Sequence, residues 1–362
     1  MRRSFLLLLT VFLLLALLGC GREEPAATEA TQPVQTEPAP TTAPTEAPTE
    51  PPTEAPTEPP QPESFLLTFV GDCTFGSTPK TAGAKTAFAQ MVKDDYSYPM
   101  ANVRSYFEND DCSFANLEGV LGDKGNARHK TYVFRGKAEY TRILTDHSVE
   151  AVTLANNHSM DYGEEGYEET KRILEERGVI FAEHMNSTIF VTDRGLTIGL
   201  YAMSSALQEV DEEQILEDIR NLKASGVDIV VCAFHWGAEG SFFHTHEQEK
   251  LGRAAIDAGA SIVWGHHPHV LQPMEEYNGG VIFYSLGNFI FGGNASPNDK
   301  DTAIMQQEVI REPDGTVRLG ELTVIPCSVN SKGQSNNFQP TPYPEDSEMY
   351  ERVLKKLADA YR

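Results

Sequence analysis

Basic residues are scarce in this 362-residue chain: 29 Lys and Arg stand against 53 Asp and Glu, a formal charge of −24. That balance argues against a nucleic-acid binder working through a basic surface. Cysteine is scarce too, with five residues and no CxxC pair, so neither a disulfide scaffold nor a thiolate metal cluster is encoded. The apolar run Phe5 to Leu18 is too short to span a bilayer comfortably. Aromatic residues are missing altogether from residues 21–64, where 12 of the 22 prolines crowd together. A window of that composition cannot build a core.

The residues that are present divide the chain. Met1-Arg2-Arg3 followed by Phe5 to Leu18 has the positive start and apolar middle of a signal peptide. It ends in Leu17-Leu18-Gly19-Cys20, which resembles the lipobox of bacterial lipoproteins, where the cysteine is acylated and becomes the first mature residue. The expectation is a cell-membrane protein, lipid-anchored through Cys20 on the extracytoplasmic face. Residues 21–64 repeat Pro-Thr-Glu-Ala and Pro-Thr-Glu-Pro and carry a net −8. Fixed φ angles and like-charge repulsion predict an extended stalk, on the order of 100 Å long at roughly 3 Å per residue. Arg2 and Arg3 contribute +2, so −18 falls on residues 65–362, enough chain for a large core. Such a surface suits a protein that holds cations.

From Phe65 onward, short apolar runs alternate with helical periodicity, the α/β pattern. Strands are expected at 65–70, 112–117, 151–154, 198–202, 229–234 and 261–264, with a more β-rich tail at 281–284, 303–310 and 317–325. Helices fit 138–145, 164–177, 212–224 and 247–258, the last three closed by Gly178, Gly226 and Gly259. A terminal helix fits 346–361. The four cysteines beyond Cys20 (Cys73, Cys112, Cys232 and Cys327) read as buried free thiols.

The chemistry lies at the carboxyl ends of the strands. Gly71-Asp72 comes after the first, Asn116-Leu117-Glu118 after the second, and Asn156-Asn157-His158 with Asp161 after the third; His235 stands after the fifth and Gly265-His266-His267-Pro268-His269 after the sixth. In α/β sheets ligands bind at the carboxyl ends of strands, so these side chains converge. Carboxylates with imidazoles and amide oxygens make a set suited to divalent ions. Singly, Gly-Asp is a common turn, Asn-Leu-Glu a common cap, and a strand-end His is often a satisfied core residue; their ordered recurrence carries the argument.

With those residues in place, the chain resembles the bacterial capsule-synthesis CapA family, called PgsA-like in poly-γ-glutamate systems. The likeness runs over about 65–330 through FVGDC, ANLEG, LANNHSMDYGEEG, AFHWGAE, IDAGASIVWGHHPHVLQP and FYSLGNFIF. It implies a four-layer, calcineurin-like metallophosphatase fold (an α/β or α+β sandwich), two mixed sheets flanked by helices. It also implies metal ligation by Asp72, Glu118, Asn157, His235, His267 and His269, with His158 touching substrate phosphate or protonating the leaving group. His266 falls outside that ligand set. Asp161 and Glu239 are candidates to orient His158 or His235, and Asn116 stands among the supporting residues. Position 74 is Thr, so the Asp-x-His opening of metallophosphatases is absent, Cys73 stands where small or aliphatic residues are usual, and Ser261 replaces an expected acid.

The chain thus divides into four segments: signal peptide 1–19, lipidated Cys20 and stalk 20–64, CapA/metallophosphatase-like domain 65–330, and C-terminal extension 331–362. The expected cofactor is one or two divalent ions (Mn, Zn, Fe or Mg). The expected activity is phosphoesterase-like hydrolysis in capsule, poly-γ-glutamate or other envelope polymer synthesis. The alternative is a non-catalytic accessory that binds poly-γ-glutamate or the membrane proteins of the polymer synthase. Trp236 and Phe242-Phe243 are expected either to wall the cleft or to pack in the core, and Ser285 to have a structural or rim role.

Overall fold

Successive side chains of a strand point to opposite sheet faces, so an apolar run buried on both faces feeds two separate cores. The computed structural model describes residues 60–85, 87–332 and 335–358. In its Ile229–His235 strand, Ile229, Val231 and Ala233 enter one buried cluster while Val230, Cys232 and Phe234 enter another. Thr197–Ser204 divides the same way, with Ile198, Leu200 and Ala202 against Tyr201 and Met203.

One sheet runs in the order Thr341–Pro342, Val317–Ser328, Asp301–Arg311, Glu63–Thr74, Cys112–Leu117, Ala151–Thr153, Ile180–Ala182, with Asn288–Phe291 pairing beside Glu63–Thr74. It is mixed, because Glu63–Thr74 is parallel to Cys112–Leu117 and antiparallel to Asp301–Arg311. The second sheet orders Met274–Tyr277, Gly280–Phe283, Ile262–His266, Ile229–His235, Thr197–Ser204, Asn186–Val191. The two face each other across a core that includes Phe65, Phe69, Phe114, Trp264 and Phe283. There Phe69 stacks on Phe114 at 4.8 Å, and Trp264 Nε1 donates to Val70 O at 2.9 Å, tying sheet to sheet. Helices cover both outer faces. Phe88, Tyr140, Ile173 and Leu174 pack under the first sheet, and Ile215, Ile219, Leu251 and Ala255 under the second. The result is the four-layer α/β sandwich expected.

Helix ends follow local chemistry. Asp211 caps Glu212–Ala224 by accepting from Glu213 N and Gln214 N, and Thr245 with Gln248 forms a capping box on His246–Asp257. Past the ends, Gly178, Gly226 and Gly259 take positive φ angles. The expected helix at 138–145 is a 3₁₀ turn, Ala138–Thr141, running into a single α turn, Arg142–Thr145.

Boundaries shift at both ends. Glu63 and Ser64, expected in the stalk, pair with Arg311 and Ile310 as strand residues. The segment after 330 is no appendage: Val353 and Leu357 of helix Glu348–Leu357 enter the inter-sheet core, and Arg352 and Lys356 pair with the buried Asp301. Strands Asn186–Val191, Met274–Tyr277 and Asn288–Phe291, short or half-exposed, carry too little periodic signal to be expected. Cys73, Cys112, Cys232 and Cys327 are all buried free thiols. The signal peptide, Cys20 and the stalk up to residue 59 lie outside the described residues, and among those described no helix is long and apolar enough to cross a membrane.

Candidate metal centre

Both sheets deliver their strand ends to one place. Asp72 lies in Glu63–Thr74, Glu118 directly follows Cys112–Leu117, and Asn157 with His158 follows Ala151–Thr153; His235 ends its strand, and His267 and His269 follow Ile262–His266. The backbones close in there. A Cβ on Gly71 would sit 2.0 Å from Gly287 O, and Asp72 N donates to that same carbonyl at 2.8 Å. Only glycine permits that approach.

Asp72 and Glu118 are fully buried. Asn116 Nδ2 reaches both, at 2.8 Å to Asp72 Oδ1 and 3.2 Å to Glu118 Oε2, while its own Oδ1 accepts from Asn156 Nδ2 at 3.1 Å. His269 Nδ1 stands 2.9 Å from Asp72 Oδ2, and its Nε2 3.6 Å from Glu118 Oε1. The 2.9 Å approach lacks hydrogen-bond alignment, so Asp72 Oδ2, Glu118 Oε1 and His269 Nδ1 are buried polar atoms without a hydrogen-bond partner. One ligand atom each from Asp72, Glu118 and His269 lies within 4.8 Å of the others. That separation suits N and O donors about 2 Å from a common ion.

The remaining expected ligands form an adjoining group. His235 Nε2 is 3.0 Å from Asn157 Oδ1, the rings of His235 and His267 are 4.7 Å apart, and those of His267 and His269 are 6.2 Å apart. Nδ1 of His235 and of His267 are likewise buried without hydrogen-bond partners. His267 and His269 hold φ angles of +96° and +57°, left-handed for residues with a Cβ. Such strain costs roughly 1–3 kcal/mol each and persists where the surroundings impose it. Here Gly240 N donates to Pro268 O at 2.8 Å, and Asn288 Nδ2 to His269 O at 3.1 Å.

The electrostatics are those of a site built around positive charge. Burial alone would raise Asp72, yet His266 and His269 hold its carboxyl well below the usual range. Burial, then the charge of Asp72, pushes Glu118 well above it. Burial works to lower His269, but Glu118 and Asp72 outweigh it and bring the imidazole up to about 9. Burial, followed by the charge of His267, holds His235 well below the ordinary imidazole value, and burial lowers His266 and His267. Two buried carboxylates among buried imidazoles, with several lone pairs unmatched, fit divalent cations in both donor type and burial.

His158 borders the cluster, its Nε2 3.9 Å from Glu118 Oε1 and its Nδ1 donating to Asp161 Oδ2 at 2.7 Å. Of the two candidate orienting carboxylates, Asp161 is thus the one used. Glu239 is exposed in the loop after Trp236, makes no hydrogen bond to His158 or His235, and acts on His267, His269 and Glu118 only as a nearby charge. Thr74, in place of the absent histidine, donates Oγ1 to Glu118 O at 2.7 Å. Cys73 turns its side chain into the helix-side core, where burial drives its thiol up to about 12. Trp236 packs in the core and donates to Tyr284 O, whereas Phe242 and Phe243 are exposed. Ser285 bonds Val270 O and accepts from Gly287 N, a structural role.

Some contributors escape sequence reasoning. His266, placed outside the ligand set, is fully buried with Nδ1 3.2 Å from Asp72 Oδ1. Asn156 and Asn288 brace the cluster, and their sequence signal is only membership in the same motifs. Lys130 and Phe134 reach the site from the loop between Gly122 and Arg135, where no local pattern marks them.

The family model described as "Bacterial capsule synthesis protein PGA_cap" matches residues 66–293. "Capsule biosynthesis protein CapA" of Bacillus anthracis is 30% identical over 294 residues, covering 74% of this chain and 68% of that protein. "PGA biosynthesis protein CapA" of Bacillus subtilis (strain 168) is 29% identical over 316 residues, covering 80% and 77%. Among solved structures, 5'-nucleotidase from Candida albicans SC5314 superposes with a TM-score of 0.40 at 12% identity over 80% of this chain and 56% of that one. A likeness that remote transfers no role.

Proposed function

Given that the chain belongs to the bacterial capsule synthesis protein PGA_cap family, we propose that it is an extracytoplasmic lipoprotein and a divalent-metal-dependent phosphoester hydrolase. Its place is in the assembly of capsule, poly-γ-glutamate or another envelope polymer. The observation that carries the catalytic part is the convergence of unmatched buried lone pairs from Asp72, Glu118, His235, His267 and His269 beside the His158–Asp161 pair. The lipidated anchor is supported by Leu17-Leu18-Gly19-Cys20.

Asp72, Glu118 and His269 would hold one ion, and Asn157, His235 and His267 a neighbouring one. A bound ion supplies a water of lowered pKa and stabilises developing negative charge. The chain's own residues do the rest. Asn116 fixes both carboxylates, so their free oxygens keep their direction. Asp161 fixes the His158 ring through Nδ1, which leaves Nε2 on the Glu118 side to carry the proton that a leaving oxygen requires. His158 is nearly buried and the Phe134 ring lies 4.5 Å away, keeping water from that side.

The test joins elemental analysis of the purified protein to a phosphoesterase screen. Metal near one or two equivalents with hydrolysis, both lost in Asp72→Ala and His269→Ala, is the expected result. Metal-free protein, or hydrolysis retained in both variants, refutes it.

A second reading, the non-catalytic accessory, draws support from one feature. Residues 123–137 hold five Lys and Arg against a single acid, in a chain of net −24. Lys124, Arg128, Lys130 and Lys137 are exposed on that segment beside the site. A polyanion such as poly-γ-glutamate would meet an attractive surface there and repulsion elsewhere. Salt-sensitive binding of poly-γ-glutamate by a protein inert in the screen would favour this reading.

A further inference from the structure

Asp161 is the hub of the loop that closes over His158. Its side chain is fully buried and both oxygens are engaged: Oδ2 accepts from His158 Nδ1 at 2.7 Å and from Phe134 N at 2.7 Å, and Oδ1 accepts from Lys130 Nζ at 2.8 Å. The same ammonium donates to Asn157 O at 2.7 Å, the backbone of a residue in the expected ligand set. The loop is pinned elsewhere as well. Arg128 N donates to Asp161 O at 2.8 Å, and Glu169 Oε2 accepts from Asp123 N at 2.7 Å and Lys124 N at 2.6 Å. Arg135 is spent on the carbonyls of Asp123, Lys124 and Gly125 and on the face of Tyr162 rather than on Asp161. Among the described residues, Lys130 is therefore the only Lys or Arg on the Asp161 carboxylate.

We infer that Lys130 is a positioning residue for His158, acting through Asp161 and the Asn157 carbonyl. The pair lies at the protein boundary, with a buried carboxylate and an ammonium side chain 35% exposed. An exposed ion pair contributes little, but a buried carboxylate oxygen stripped of its donor is costly to leave unpaired. Without Lys130, Oδ1 must find water or the carboxylate must turn. Either change loosens the Asp161 Oδ2 bond that fixes the imidazole and opens that side of the ring to solvent. Partners of this kind, one step removed from the reacting groups, typically change activity by ~10–100-fold.

This inference rests on the reading of His158 as the proton donor of a hydrolytic site, so its test has two arms. In the first, the full-length protein is compared with Lys130→Met and Lys130→Arg for kcat and KM on bis(p-nitrophenyl) phosphate. A fall in kcat of ~10-fold or more in Lys130→Met with KM and metal content unchanged, and recovery to within about threefold in Lys130→Arg, is expected. In the second, the His158 Nδ1 proton is followed by NMR, assigned by its disappearance in His158→Asn. It is slow to exchange in wild type and Lys130→Arg, and exchanges at least about tenfold faster in Lys130→Met. Lys130→Gln, which keeps a donor without the charge, replaces Met if folding suffers by circular dichroism. Wild type that hydrolyses nothing defeats the hydrolase reading, and the proton-exchange arm then decides for or against Lys130. Unchanged exchange in Lys130→Met overturns the inference, as does unchanged kcat in an active enzyme.

Discussion

Replacing Glu118 by Gln separates a metal site from a merely buried polar cluster. Burial and the neighbouring Asp72 charge push the Glu118 carboxyl well above its usual range, so its negative charge is unfavourable there until a cation joins it. Gln has the same shape and removes that charge. It can still present oxygen to Asn116 Nδ2, the donor now 3.2 Å from Oε2. Glu118→Gln is therefore expected to change the stability of metal-free protein by less than about 1 kcal/mol. Metal-bound protein tells the opposite story. An ion at about a thousand times its Kd stabilises the fold by ~4 kcal/mol, which for a domain of this size is roughly 10 °C in Tm. Loss of one anionic ligand from Asp72, Glu118 and His269 removes most of that increment. Scanning calorimetry in EDTA and then in excess Mn²⁺ or Zn²⁺ measures both quantities on the same samples. Two results would refute the reasoning: a full metal-induced shift in Glu118→Gln, or a metal-free variant several kcal/mol less stable than wild type.

Single contacts set the other expectations. Gly71→Ala drives a Cβ to 2.0 Å from Gly287 O and 3.0 Å from Leu286 O, backbone atoms that cannot swing aside, so a loss of ~3 kcal/mol or more is expected by urea denaturation; a near-neutral result would show that the junction yields. Asp110 is raised to about 7, mainly by burial, with Glu150 and Asp111 adding to the rise and the Ser113 and Thr68 hydroxyls opposing it. A carboxyl raised in the folded state binds protons more tightly there than in the unfolded chain, so its contribution is favourable at low pH and is lost as pH climbs from about 4 through 7. Asp110→Asn should thus stabilise the protein at pH 8 by on the order of 2 kcal/mol relative to its effect at pH 4, and equal effects at both pH values would contradict this. Cys20→Ser should move the protein from the membrane fraction to the soluble fraction of cells, and undiminished membrane retention would argue against the lipid anchor.

Lys130 and Phe134 mark where legibility in the sequence stops. The strand ends that carry Asp72, Glu118, His158 and His235 are announced by apolar runs, because a strand buried on both faces is mostly apolar along its length and an ionisable side chain is accommodated most readily near its end. The loop from Gly122 to Arg135 has no period, and its place beside Asp161 comes from bonds to residues 27–46 positions away. Asn186–Val191 is similar, since only its pairing with Thr197–Ser204 makes it a strand. His266 could not be ranked against His267 and His269 from spacing, for which of three neighbouring rings meets Asp72 depends on the turn after Ile262–His266, including the left-handed φ angles of His267 and His269.

By itself the sequence determined the contrast between the acidic proline-rich residues 21–64 and the α/β pattern from Phe65 onward, the order of the main strands, the residue types at their carboxyl ends, and the family. These are local properties, written in composition, period and motif. Tertiary structure alone decided how the cluster is shared between the two sheets, with Asp72, Glu118 and Asn157 from the first and His235, His267 and His269 from the second. It also chose Asp161 over Glu239 as the partner of His158. The scarcity of basic residues has a physical counterpart there: among the described residues no Lys or Arg pairs with the buried Asp72 or Glu118, whose partners are imidazoles and an amide and, in the proposed site, a cation.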